Sequence, residues 1–87
     1  MNYGMYCMED IKTGFCSPTL DANDASAIRN FASAVMQSQG VLFTHAEDFR
    51  LWHIADFDSD SGAVTPLSPI VHIFDGSDVL KGGKSSV

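Results

Sequence analysis

The sequence has few positive charges. Of its 87 residues only five are Lys or Arg, against eleven Asp or Glu, which gives a formal net charge of −6 at pH 7. Such a balance repels the phosphates of nucleic acids unless the few cations are gathered on one face. They are scattered instead, at Lys12, Arg29, Arg50, Lys81 and Lys84. The composition therefore favours a basic protein partner over a nucleic acid.

Cysteines and long apolar runs are also scarce. The two cysteines, Cys7 and Cys16, flank a predicted hairpin turn in positions with poor disulfide geometry, so we expect both to be reduced core residues. No apolar run approaches the roughly 20 residues that span a membrane, and no basic-then-apolar leader precedes Cys7. We expect a cytoplasmic protein that makes no membrane contact.

Motifs for catalysis and for cofactor binding are missing. Residues 56–62 have the alternating carboxylates of a calcium loop, but the glycine falls at the seventh position instead of the sixth, and Leu67 stands where a bidentate Glu is needed. His45, His53 and His72 are too far apart for a local metal site, and an enzymatic function would require His53 and His72 to meet a carboxylate in space. We expect no catalytic residue, no cofactor and no metal.

The apolar content is nevertheless sufficient for one core. Hydrophobic residues make up 45% of the chain, and six residues are Phe, which suffices for a single domain of this length. The pattern predicts one helix between residues 23 and 39, and strands at 3–8, 15–20, 51–57, 63–65 and 70–74. The predicted class is α+β, a mostly antiparallel sheet with one amphipathic helix packed on one face in ββαβββ order. Residues 1–81 would form this domain, and residues 82–87 a flexible tail.

Local signals define the helix and the first hairpin. Asp21 and Asn23 are N-cap candidates, and Gly40 suits a left-handed stop. Gly14 can supply the positive φ of a bulged hairpin turn. The apolar face of the helix consists of residues at i, i+3, i+4 and i+7, namely Ile28, Phe31, Ala32 and Val35.

Both faces of the predicted sheet are apolar. Tyr6 points away from Cys7 on the first strand, and Trp52 and Ile54 share a side of the third. One helix covers only one face, so the other must be covered by the chain's own loops or by another chain. We expect a second copy of the chain, with a dimer favoured. The interface candidates are Tyr6, Trp52 and Ile54.

Strand aromatics also allow a different interpretation. In a module that binds single-stranded DNA, Tyr3 and Trp52 would stack on bases while Arg29 and Arg50 touched phosphates. Core packing or an interface patch explains the same aromatic residues, and the negative composition favours those interpretations.

The order of several short segments resembles a known family, the small nonstructural protein of gokushoviruses, which are single-stranded-DNA phages of the Microviridae. The likeness spans about residues 3–80. The segments that carry it are Asp10-Ile11-Lys12-Thr13-Gly14-Phe15, Pro18-Thr19, Asn23-Asp24-Ala25, Ile28-Arg29-Asn30-Phe31, Phe43-Thr44-His45, Asp48-Phe49, Leu51-Trp52-His53-Ile54, Asp56-Phe57-Asp58 and Gly62.

The resemblance implies a phage accessory protein that is made in the cytoplasm of the infected bacterium and is absent from the virion. It implies a role in viral DNA replication or in the switch to single-strand synthesis. The acidic balance and the missing active site add the expectation that the protein acts by contacts with a phage replication protein or a basic host protein. It supplies no catalytic residues.

Overall fold

The structure is a computed structural model that describes residues 1–79. The predicted flexible tail, residues 82–87, lies outside the described residues. No helix in the described part of the chain is long and apolar enough to cross a membrane. In chain order the elements are β1 (Asn2–Asp10), β2 (Gly14–Phe15), β3 (Thr19–Asp21), α1 (Asp24–Gln37), α2 (Val41–Thr44), a 3-10 helix (Ala46–Asp48), β4 (Phe49–Asp58) and β5 (Val64–Asp75).

The strands form one antiparallel sheet. Its order is β2-β1-β4-β5, and β3 pairs with another part of β1. β1 and β4 are the central strands, because each is paired along both of its edges. The predicted α+β class with a mostly antiparallel sheet is confirmed.

The predicted ββαβββ order is wrong in two places. The second arm of the first hairpin is split into β2 and β3, because Pro18 has no N–H with which to continue the ladder. The strands predicted at 63–65 and 70–74 are one strand, β5, which runs through Pro66 and Pro69. Prolines are tolerated there because β5 is an edge strand and is paired along one side only.

The start of α1 follows the predicted cap. Asn23 is the N-cap, and its side-chain oxygen accepts a 2.9 Å hydrogen bond from the backbone N–H of Ser26. This bond satisfies one of the N–H groups that a helix leaves without an internal partner. The predicted left-handed stop at Gly40 is wrong, because Ser38 caps the helix in an extended conformation and Gly40 has a φ of −114° as the N-cap of α2.

α1 packs on one face of the sheet, which we call the helix face. Ala27, Phe31 and Val35 are buried against Tyr6 and Leu51 of the sheet. Their spacing of four residues places them on one side of the helix. The predicted apolar face of α1 is therefore confirmed: Phe31 and Val35 are buried, and Ile28 and Ala32 are partly buried and pack against the same core.

A single helix does not complete this layer. Leu42 of α2 and Ala46 of the 3-10 helix also pack against the core, and Ala46 is fully buried. These residues lie in the connection between α1 and β4. The prediction of one helix on the sheet was therefore incomplete.

β4 and β5 each contain a β-bulge directly after a histidine. On β4 the pairing with β1 passes from His53 to Ala55, so that Ile54 is the extra residue. On β5 the pairing with β4 passes from His72 to Phe74. An extra residue reverses the alternation of side chains, so residues three apart then share a face.

The side of the sheet opposite α1 is the open face. Residues that alternate with the buried Leu51 point to it, so Arg50 and Trp52 of β4 lie there. Trp52 pairs directly with Cys7 on β1 and with His72 on β5, so these two residues lie on the same face. The prediction that α1 leaves one face of the sheet without a covering helix agrees with this arrangement.

Candidate functional site

An aromatic cluster lies at the centre of the open face. The ring of Trp52 is 5.2 Å from that of His72 and 6.4 Å from that of Phe15, centroid to centroid. The indole N–H of Trp52 donates a 2.9 Å hydrogen bond to Glu9. Trp52 pairs directly with His72 across β4 and β5, which brings their side chains together. We call Glu9, Phe15, Trp52 and His72 the open-face cluster.

The open face is accessible at this cluster and carries charges of both signs. The side chain of Phe15 is exposed, with 53% of its residue area accessible. Arg50 is in register between Glu9 on β1 and Asp75 on β5. Within residues 1–79 the guanidinium of Arg50 forms no ion pair. Among the described residues, the face therefore offers an apolar surface beside a cation that forms no ion pair.

A groove of about 810 Å³ lies where the N-terminus of α1 meets β1 and β4. Three of the residues that line it are acidic, and no residue in its wall, as far as the chain is described, is Lys or Arg. We call this feature the groove. It is lined by Asn2, Tyr3, Gly4, Tyr6, Ala22, Asn23, Asp24, Ala25, His53, Asp56, Phe57, Asp58, Ala63 and Thr65.

A polar network crosses the groove. His53 stacks on Tyr6 with ring centroids 4.8 Å apart. Its Nδ1 lies 3.7 Å from Oδ1 of Asp24, and its Nε2 lies 2.9 Å from Oδ1 of Asp56. The phenol of Tyr6 donates a 2.6 Å hydrogen bond to Asp24. Burial, together with the bond to Asp24 and the charge of that carboxylate, raises the pKa of Tyr6 well above its ordinary value.

The two bulges explain the histidine–aspartate pairs. His53 contacts Asp56 on the helix face, and Nε2 of His72 lies 2.7 Å from Oδ1 of Asp75 on the open face. Without the extra residue, each pair would be divided between opposite sides of its strand. The same sequence pattern, His-Ile-x-Asp, thus builds one pair on each face of the sheet.

The loop considered for calcium uses its carboxylates internally. Asp58 accepts a 2.9 Å hydrogen bond from the backbone N–H of Asp60, which is the chief reason that the pKa of Asp58 is lowered. Gly62 has a φ of +77°, a backbone conformation that glycine adopts without strain. Among residues 1–79 no three His, Cys, Asp or Glu side chains are grouped so that they could hold a metal ion.

Comparison with known proteins relates the chain to phages. The profile of the family described as Phage ORF5 protein matches residues 3–79. The chain belongs to this family. It is accordingly a phage protein. No curated protein sequence and no solved structure matches the chain.

The three interface candidates occupy different places in this Phage ORF5 family protein. Trp52 lies on the open face and is partly exposed. Ile54 is the extra residue of the β4 bulge and is also partly exposed. Tyr6 lies on the helix face and is only 2% exposed. The prediction that Tyr6 contributes to an open surface is therefore wrong, because α1 covers the side of β1 on which its ring lies.

The four nucleic-acid candidates are not gathered on one surface of the Phage ORF5 family protein. Arg50 and Trp52 share the open face, but Arg29 is exposed on α1, on the other side of the sheet. Tyr3 is partly exposed, and its hydroxyl lies 3.3 Å from Sδ of Met1. Single-stranded DNA that stacked on Trp52 would contact Arg50 and also the acidic side chain of Glu9.

His53 and His72 do not form a joint site. They lie on opposite faces of the sheet, so the condition for an enzymatic centre shared by these two residues is not met. Sequence reasoning missed the pairs that each of them makes with its own aspartate. The repeated His-Ile-x-Asp pattern was the available signal.

Proposed function

We propose that this phage protein is a non-enzymatic accessory protein that acts through protein–protein contacts made by the open-face cluster. The observation that carries the proposal is the position of Trp52 between the exposed Phe15 and His72. Large aromatic side chains dominate the binding energy of protein interfaces. We further propose that these contacts serve viral DNA replication or the switch to single-strand synthesis, as the resemblance to the small nonstructural protein of gokushoviruses implies.

The first partner that we propose is a second copy of the chain. A net charge of −6 disfavours self-association in general. The open face reduces this repulsion, because Arg50 can contact Glu9 or Asp75 of a copy related by two-fold symmetry. An interface of about 800 Å² per partner is the ordinary size for a stable complex.

The second partner that we propose is a phage replication protein or a basic host protein in the bacterial cytoplasm. The excess of acidic residues suits a basic surface and accelerates association with it. The proposal places the protein in the infected cell and outside the virion.

Affinity purification from infected cells tests this function. Tagged wild type should recover a replication protein or a basic host protein at low salt, and Trp52→Ala should recover much less of it. Phe43→Ala is the matched control, because Phe43 is an exposed aromatic residue on α2, away from the open face. Equal recovery by wild type and Trp52→Ala, or no specific partner with either, would count against the proposal.

Binding of single-stranded DNA is the alternative function. Trp52 and Arg50 share the open face, and this combination is typical of base stacking with a phosphate contact. Fluorescence titration with a labelled oligonucleotide at ~50 mM salt decides between the functions, since such binding weakens steeply as salt is added. Because Glu9 is bonded to Trp52, we expect no binding at high micromolar protein. Salt-sensitive binding that Trp52→Ala abolishes would favour the alternative.

A further inference from the structure

A second cavity, which we call the apolar pocket, lies between α1 and the helix face of the sheet. It has a volume of about 180 Å³. Its wall includes the core side chains of Tyr6, Phe31 and Leu51, each no more than 5% exposed. The pocket therefore reaches the hydrophobic core from the surface of the protein.

We propose that the apolar pocket binds the ring of a phenylalanine that stands next to an arginine in a protein partner. The inference rests on the proposed protein-binding function. It gives that function a second contact surface, on the opposite side of the sheet from the open-face cluster.

The size of the apolar pocket is the first reason. Protein interiors contain few voids larger than a water molecule. Here α1 contributes only the methyl groups of Ala27 and Ala34 beside Phe31, and the neighbouring sheet is interrupted where Pro18 divides β2 from β3. Apolar cavities of about 150 Å³ bind benzene. The room left between α1 and the sheet thus suits one phenyl ring.

The polar groups in the wall are already bonded, which is the second reason. The phenol of Tyr6 donates to Asp24, and the side-chain amide of Asn30 donates a 2.7 Å hydrogen bond to Asp21. Within residues 1–79 no buried side-chain nitrogen or oxygen lacks a partner. A water molecule in a cavity needs two to four polar partners. An apolar group is therefore the better occupant.

The wall favours an aromatic group over an aliphatic one. Tyr6 and Phe31 supply two rings, and Met8 supplies a thioether. Aromatic rings pack favourably edge to face or offset against one another, and a thioether sulfur makes favourable contacts with a ring. These contacts are available to a phenylalanine ring and not to a leucine side chain.

Charge complementarity defines the residue beside the ring. Asp21 is the one carboxylate in the described wall of the apolar pocket, and that wall contains no Lys or Arg. Asn30 holds the side chain of Asp21 without neutralising it, because an amide carries no charge. In a chain of net charge −6, this rim favours a basic residue next to the ring.

Amide NMR titrations of the full chain with capped dipeptides test the inference. The probe is acetyl-Phe-Arg-amide, and we expect saturable shifts at the amides of Thr19, Ala27 and Ala34. Acetyl-Ala-Arg-amide lacks the ring and should bind at least about tenfold more weakly. Acetyl-Phe-citrulline-amide lacks the charge and should bind roughly two- to fivefold more weakly. Equal affinities of the phenylalanine and alanine peptides, or shifts that do not saturate, would overturn the proposal.

Filling the apolar pocket gives the second readout. Ala34→Leu adds a side chain at its wall, and it keeps the helix intact because Ala34 is exposed on α1 and leucine is a good helix former. We expect it to weaken acetyl-Phe-Arg-amide at least about tenfold. Ala25→Leu is the matched control, since Ala25 is exposed on α1 outside this pocket, and it should bind as wild type does. Equal affinities of the two variants would refute the inference.

Asp21→Asn tests the charge separately from the ring. It should bind acetyl-Phe-Arg-amide and acetyl-Phe-citrulline-amide with the same affinity, because the carboxylate that distinguishes them is gone. A preference for the arginine peptide that persists in this variant would contradict the role of Asp21.

The two proposals fail separately. Trp52→Ala should reduce partner recovery from infected cells without changing the peptide titration, because Trp52 lies on the opposite side of the sheet. Partner recovery with no peptide binding would remove the apolar pocket and leave the proposed function intact. Ala34→Leu should also reduce partner recovery. Full recovery by Ala34→Leu, together with lost peptide binding, would reject the protein partner as the source of the ring.

Discussion

The phenol of Tyr6 donates a 2.6 Å hydrogen bond to Asp24, and this contact joins β1 to the first turn of α1. Tyr6 is 2% exposed, whereas the carboxylate of Asp24 is more than half exposed. A buried O–H on the sheet therefore sets the position of a carboxylate at the edge of the groove. The same bond couples the stability of the helix–sheet contact to pH.

Replacing Tyr6 by Phe should lower the free energy of unfolding at neutral pH by about 1–3 kcal/mol, because a hydrogen bond to a charged group is lost. The folded-state pKa of Tyr6 is raised above its ordinary value of 10.0. Its stabilising contribution is therefore complete below pH 10.0 and is lost as the pH rises towards the folded-state pKa. As the pH rises above about 10, wild type should lose stability faster than Tyr6→Phe.

Urea unfolding followed by circular dichroism at a series of pH values measures this difference. Tyr3→Phe is the matched control, because Tyr3 is only partly buried and its hydroxyl lies against a methionine sulfur. Parallel curves for wild type and Tyr6→Phe above about pH 10 would contradict the role assigned to the buried phenol.

Light scattering at tens of micromolar tests self-association. We expect a mass near twice that of the 9.4 kDa chain for wild type. Trp52→Ala should give a mass close to that of one chain, because it removes the central side chain of the open-face cluster. Phe43→Ala should behave as wild type does. A single-chain mass for wild type would reject the dimer.

Gly76 tests the packing between the 3-10 helix and the sheet. A Cβ at this position would overlap the backbone carbonyl of Ala46 and approach that of Phe49. Gly76→Ala should therefore destabilise the protein by about 1–3 kcal/mol in denaturant unfolding. At Gly40 a Cβ would meet no atom closer than 4.0 Å, so Gly40→Ala should change the free energy of unfolding by less than about 0.5 kcal/mol. Similar effects of the two substitutions would contradict this packing.

The two cysteines should differ in reactivity. Cys7 is 4% exposed, and burial is the main cause of its raised pKa. Cys16 is exposed, so the prediction that both cysteines lie in the core is wrong for Cys16. A thiolate-specific chromogenic reagent should modify about one thiol rapidly in native protein. Cys16→Ser should remove the rapid reaction, and a rapid reaction that persists in that variant would show that Cys7 is accessible.

Features set by neighbouring residues could be predicted from the sequence. The cap at Asn23 and the buried positions Phe31 and Val35 depend on helical geometry within a few residues. Alternation on β1 also placed Tyr6 and Cys7 on opposite sides correctly. It could not tell which side α1 would cover, because that choice depends on tertiary packing. For this reason Tyr6 was assigned to an interface although it lies in the core.

The groove could not be predicted for a related reason. In a regular strand, His53 and Asp56 point to opposite faces. Their contact requires the extra residue Ile54, whose position is defined by pairing with β1, far away in the sequence. The aromatic part of the open face was easier to predict. Trp52 is a large residue on a predicted strand, and one helix can cover only one side of the sheet that contains this strand.

The pairing of β1 with β4 affects how the chain reaches its native state. The bond from Trp52 to Glu9 joins residues that are 43 positions apart, and α1 lies between them in the chain. Helix α1 can form from local contacts, but the sheet that it packs on is incomplete until the distant strands meet. Closing so long a loop costs conformational entropy before the new contacts repay it. Folding times of about milliseconds to seconds, typical of small proteins dominated by non-local strand pairing, are the natural consequence.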